Sequence, residues 1–120
     1  MNVRMSTRHV GDVTIVDISG RIVLGEESTA LRDLVCELLS NGYKDILFNL
    51  GGVDYIDSSG LGHLLTALTI VQRRAGALKL LNLTKNVHDV IQIKLNTVFD
   101  IMNDEGVAVR SFAQPHAATA

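Results

Sequence analysis

The chain has 120 residues, 47% of them apolar, enough to bury one sizeable core and too few for two. Its 11 Lys plus Arg against 13 Asp plus Glu leave a net charge of -2 and no basic stripe, which argues against nucleic acid as a partner. The single cysteine, Cys36, supplies neither a disulfide framework nor a metal cluster, and no apolar stretch reaches the roughly 18 residues that span a bilayer. Met1 to Val10 lacks the apolar core of a signal peptide, so we expect an unprocessed soluble protein in a reducing cytoplasm, with no direct membrane insertion.

In chain order, "NVRMSTRHV" and "VTIVDIS" are β-prone runs joined at Val10-Gly11-Asp12, a hairpin spacing. Glu26, Glu27, Ser28 and Thr29 then offer charge and capping oxygens to a helix whose buried face is Leu31, Leu34, Val35, Leu38 and Leu39, ending at Asn41-Gly42. "DILFNL", Asp45 to Leu50, reads as an interior strand covered on both faces. A second helix follows, with Leu61, Leu64, Leu65, Leu68 and Val71 at helical spacing, Arg73 and Arg74 in its last turn, and Gly76 as its stop. "ALKLLNL" is another strand, Thr84 an N-cap, and Val87, Val90, Ile91 and Leu95 the stripe of a third helix. "NTVFDIM" is the last strand, and a short helix spans about Asp104 to Phe112.

This order is β-β-α-β-α-β-α-β plus a terminal helix. It predicts an α/β domain over residues 1–112 with a mixed sheet: an antiparallel N-terminal hairpin, then parallel strands with right-handed crossovers. Residues 113–120 read as a flexible C-terminal tail.

The chemistry concentrates in "GGVDYIDSSGLGHLL", Gly51 to Leu65, at a strand-to-helix connection, where open α/β sheets place their functional surfaces. Asp57, Ser58 or Ser59 can cap the first turn, and a phosphoryl group on Ser58 would be tolerated at the positive end of the helix. A nucleophile elbow needs glycine two residues before and after the serine, and neither Ser58 nor Ser59 has both. A nucleotide-hydrolase phosphate loop needs a lysine that "SSGLGH" lacks. Gly60 and Gly62 allow close backbone approach or helix packing. His9, His63, His88 and His116 have no metal-ligand spacing, and His63 lies near enough to the motif to face a partner.

"VDYIDSSGLGHLLTAL" followed by "AGALKLLNLTKNVHDVIQI" resembles the STAS domain of bacterial anti-sigma factor antagonists, over about Arg4 to Phe112. The resemblance implies the STAS fold and a non-enzymatic partner-switching role without a cofactor. Ser58 would be the phosphorylation site, and Asp57, Ser58, Ser59, Gly60, Leu61, Gly62 and His63 would form the partner-binding surface. The implied partners are an ATP-dependent anti-sigma factor serine kinase, which the unphosphorylated form binds to free the sigma factor, and a metal-dependent PP2C-type phosphatase. The chain itself would be a monomer or weak dimer. One local departure is Gly20-Arg21-Ile22-Val23, where Arg21 and Val23 stand in place of the family's acidic residues. It motivates an alternative, a STAS scaffold subunit of a signalling assembly or membrane transporter that docks without phosphorylation.

Overall fold

The computed structural model describes residues 3–23, 27–95 and 99–113, with 27, 28 and 92–95 described at the backbone level. The elements are β1 (Val3–Val10), β2 (Val13–Ile22), α1 (Glu27–Ser40), β3 (Asp45–Ile56), α2 (Ser58–Arg73), β4 (Ala77–Leu81), α3 (Lys85–Leu95), β5 (Ile101–Met102) and α4 (Glu105–Ala113). The predicted order and the mixed sheet are both present. The five strands lie in chain order, β1-β2-β3-β4-β5, with β1 and β2 antiparallel and the later pairs parallel. Val10 pairs with Val13 across Gly11, whose φ of 60° suits a tight turn.

Alternation along β2 and β3 divides the core in two. Val16, Ile18, Ile46, Phe48 and Leu50 face one side and pack against Leu31, Val35, Leu38 and Leu39 of α1, Leu61, Leu64 and Leu68 of α2, and Val87 and Ile91 of α3. Val13, Ile15 and Leu47, with Leu81 of β4, face the other side and meet Ala108, Val109 and Phe112 of α4. Ile46, Leu47, Phe48 and Leu50 have no exposed surface, as the compact apolar run implied. Leu34, Leu65 and Val90 are only partly buried, at the margins of their stripes. The side chain of Leu95, the residues 96–98 that were expected to begin the last strand, Glu26, and residues 114–120 of the expected tail lie outside the described residues. Helix α4 runs through Ala113, one residue into the segment read as tail.

Besides the strands read as "ALKLLNL" and "NTVFDIM", which shorten to Ala77–Leu81 and to Ile101–Met102, three local readings change. First, β3 does not stop near Leu50 but continues through Gly51 and Gly52 to Ile56, because β2 pairs with it along that length: Ser19 with Gly52, Gly20 with Val53, Ile22 with Ile56. A Cβ on Gly52 would come within 2.7 Å of the Ser19 Cβ, so this glycine permits close pairing rather than ending the strand. Second, α2 is closed by Ala75, which takes the left-handed conformation at φ 59°, with the Ala75 and Gly76 N–H groups donating to Gln72 and Val71 carbonyls. Gly76 is needed for a different reason, since any side chain there would run into the Lys44 carbonyl. Third, Thr84 stands at the start of α3 but turns its hydroxyl to the Val53 carbonyl, 2.7 Å away, which ties α3 to the far half of β3.

Helix α4 is fastened to the sheet by polar contacts as well as by its apolar face. Lys79 is 7% exposed, donates to Ser111 Oγ at 2.9 Å and lies 4.7 Å from the Phe112 ring centroid. Arg8 of β1 bridges Asp17 (Nε to Oδ2, 2.7 Å) and Glu105 (Nη2 to Oε1, 2.6 Å). Arg8 hydrogen bonds hold both carboxyls below their ordinary values of 3.8 and 4.5. Both acids bind protons less readily folded than unfolded. Their contribution is therefore complete above about pH 5 and lost as pH falls through the lowered folded values. Each side chain is a third or more exposed, so solvent screening keeps the total to about 1 kcal/mol or less. Arg8→Gln is expected to cost this amount at neutral pH, with the difference from wild type vanishing towards about pH 2 in urea unfolding.

Candidate functional site

The edge formed by the carboxyl ends of the parallel strands carries the motif. Ile56 ends β3 with its side chain in the core, and Asp57 stays extended at φ -104° and ψ -175°, so the chain turns into α2 at Ser58. Of the three possible capping side chains, Asp57 is the one used: its Oδ1 accepts the Gly60 N–H at 2.7 Å, while its carbonyl accepts the Leu61 N–H at 2.9 Å. A cap of this kind is worth about 1 kcal/mol. The Asp57 N–H points back to the Ile22 carbonyl at 3.4 Å, which joins the helix start to the end of β2.

With the cap supplied by Asp57, Ser58 is left at the first helical position, exposed, with no hydrogen bond to its hydroxyl among the described residues. Ser59 is half-buried beside it. Gly60 and Leu61 are buried beneath the first turn. A Cβ on Gly60 would overlap the Ile22 carbonyl oxygen, so the first turn of α2 rests directly on the β2 backbone. Gly62 is different: a Cβ there would meet nothing within 4 Å. The expectation of close packing thus holds for Gly60 and fails for Gly62.

His63 is half-buried between α1 and the β1–β2 edge. Its Nε2 is buried without a hydrogen-bond partner, and the residue lines an apolar cavity of about 10 Å³ with Val3, Met5, Ile18, Ile22, Val23 and Leu31, room for a single water. His63 also lines a shallow groove of about 140 Å³ with Thr29, Arg32 and Thr66. One ring nitrogen is thus turned inward.

The exposed members of the motif are brought to one edge, with Asp57 holding the geometry and Ser58 presenting a free hydroxyl. No histidine or second carboxylate hydrogen-bonds to either serine among the described residues. Among the described residues no group of three His, Cys, Asp or Glu could hold a metal ion, and no helix is long and apolar enough to cross a membrane. Tyr55 was not singled out in the sequence. Its exposed ring lies under the Arg21 guanidinium, 5.0 Å from carbon to centroid, and only the register of β2 on β3 reveals that pairing.

A mixed sheet led by a hairpin, with three helices on one face, one on the other and an acid-capped helix start at the sheet's carboxyl edge, defines a small α/β domain. The chain belongs to the STAS domain family, whose model matches residues 4–108. Among solved structures it is similar to an anti-sigma factor antagonist from Mycobacterium paratuberculosis, with a TM-score of 0.78 and 14% identity over 93% of this chain and 95% of that one. It is also similar to the Bacillus cell fate determinant SpoIIAA in its phosphorylated form, with a TM-score of 0.70 and 19% identity over 90% and 98%. The murine anion transporter Slc26a9 contains a matching region, with a TM-score of 0.73 and 14% identity over 88% of this chain and 18% of the transporter. At these identities the likeness is one of fold. A comparison with curated protein sequences finds no match.

Proposed function

We propose that the protein is an anti-sigma factor antagonist that works by partner switching. In its unphosphorylated form it binds an anti-sigma factor serine kinase and so releases the sigma factor; phosphorylation of Ser58 blocks that binding, and a PP2C-type phosphatase restores it. The observation that carries this reading is the division of labour at the helix start. Asp57 alone caps α2, so Ser58 is exposed with a free hydroxyl and can accept a phosphoryl group without uncapping the helix. The fold shared with SpoIIAA and with the mycobacterial antagonist supports the same role.

A phosphoryl group adds a charge of about -1.5 to -2 at this edge. Against a carboxylate about 5 Å away at an effective dielectric of about 20, each charge pair costs roughly 3 kcal/mol before screening. The backbone need not move for the switch to act, because the charge alone changes what the edge can bind. Incubation with the anti-sigma kinase and ATP is expected to add one phosphate, located on Ser58 by mass spectrometry and absent from Ser58→Ala. Phosphate on another residue, or on Ser58→Ala, would count against the assignment.

The likeness to part of an anion transporter favours a second reading, a STAS module that docks in a larger assembly without being phosphorylated. Stable co-purification with such an assembly, and no phosphate after kinase treatment, would select it.

A further inference from the structure

Gly20 takes a φ of 100°, and the β2–β3 register shifts between Gly20 and Arg21. A bulge of this kind re-aims the side chain that follows. Here it sets Arg21 against its cross-strand neighbour Tyr55, with the guanidinium carbon 5.0 Å from the ring centroid. Arg21 is exposed, and Tyr55 keeps 39% of its surface in solvent. The ion pairs among the described residues join Arg8 to Asp17 and Glu105, and His88 to Asp89; none takes Arg21. Asp54 forms no ion pair with it, and Asp57 directs its carboxylate to the Gly60 N–H. The next residue, Ile22, carries the carbonyl that receives the Asp57 N–H and lies under Gly60. Arg21 therefore stands one residue from the backbone on which the Ser58 turn rests.

An arginine laid on an exposed tyrosine has little freedom left to lose on binding, and its N–H edge stays open to a planar acceptor. Arginine and tyrosine are also the side chains over-represented among the few that dominate protein interfaces. We infer that Arg21 and Tyr55 form an anchor that receives a carboxylate of the protein bound at the Ser58 edge, so that the anti-sigma kinase recognised by this chain presents an Asp or Glu there. This rests on the partner-binding reading above and adds the partner's chemistry to it. Arg21 and Tyr55 alternate with the core-facing Ile22 and Ile56 at the carboxyl ends of β2 and β3, the same end of the sheet from which Ser58 starts α2, so one partner covering that end meets both the anchor and the switch.

The test is a binding titration of a purified anti-sigma factor serine kinase against wild type, Arg21→Gln, Arg21→Glu and Tyr55→Leu, at low and high salt, with Ser58 phosphorylation and unfolding midpoints measured alongside. Arg21→Glu is expected to weaken binding by about 30-fold or more, Arg21→Gln by about 10-fold with a flatter salt dependence, and one Asp→Arg or Glu→Arg change in the kinase to restore Arg21→Glu. If Arg21→Glu binds within about twofold of wild type and is still phosphorylated on Ser58, the anchor is refuted while the proposed function stands. If wild type neither binds the kinase nor takes phosphate from it, both fall together.

Discussion

Gly60→Ala is expected to lower the stability of the domain by roughly 3 kcal/mol or more, because the added methyl has nowhere to go. Its position is occupied by the Ile22 carbonyl, with the Ile56 side chain 2.8 Å away, and neither is the mobile end of a long side chain. Relief requires α2 to lift from β2, which would pull the Asp57 N–H from Ile22 and loosen the turn that holds Ser58. Gly62→Ala serves as the control. It lies two residues on in the same helix, faces open space, and is expected to gain about 0.5–1 kcal/mol through helix propensity and reduced freedom of the unfolded chain. Urea unfolding of the two variants checks both signs. Equal, small effects would mean that the helix start does not bear on the β2 backbone.

Ser58→Asp is expected to reduce binding to the anti-sigma kinase by about 100-fold with little change in folding stability. Ser58 is exposed and outside both cores, and an acid in the first turn of a helix is stabilising by a few tenths of a kcal/mol. The loss of binding follows from charge: one full charge near a partner carboxylate costs roughly 3 kcal/mol before screening, and about 100-fold corresponds to about 2.7 kcal/mol. Ser58→Ala, which carries no charge and no attachment point, is expected to bind like wild type. Calorimetry or surface-binding kinetics separates the three forms.

The fold was legible where a periodic apolar pattern met a clear punctuation mark. The α1 stripe of Leu31, Val35, Leu38 and Leu39, and the Gly42 that follows at φ 89°, are visible in the sequence and present in the structure. Misreadings fell where pairing between distant segments decides the outcome. The strand read as Asp45 to Leu50 runs on through Gly51 and Gly52 because Ser19 is set against Gly52. The burial of Lys79 under Ser111 and Phe112 likewise depends on α4, whose Ser111 lies 32 residues further on. At the candidate site, the sequence located the turn but could not choose among three capping oxygens. The choice of Asp57 depends on a single φ/ψ pair and one 2.7 Å contact. The burial of Gly60 and Leu61 follows from the helical stripe they share with Leu64, Leu68 and Val71, a signal that was available. The Arg21–Tyr55 contact was not, since it needs the bulge at Gly20 as well as the register.

The central claim is that one hydroxyl at the start of α2 controls binding. The most direct measurement is the affinity of the anti-sigma kinase for a single preparation of this protein in three states: unmodified, stoichiometrically phosphorylated on Ser58, and returned to the unmodified form by a PP2C-type phosphatase. The account predicts tight binding, a loss of about 100-fold or more, and full recovery. Equal affinity in all three states would contradict it.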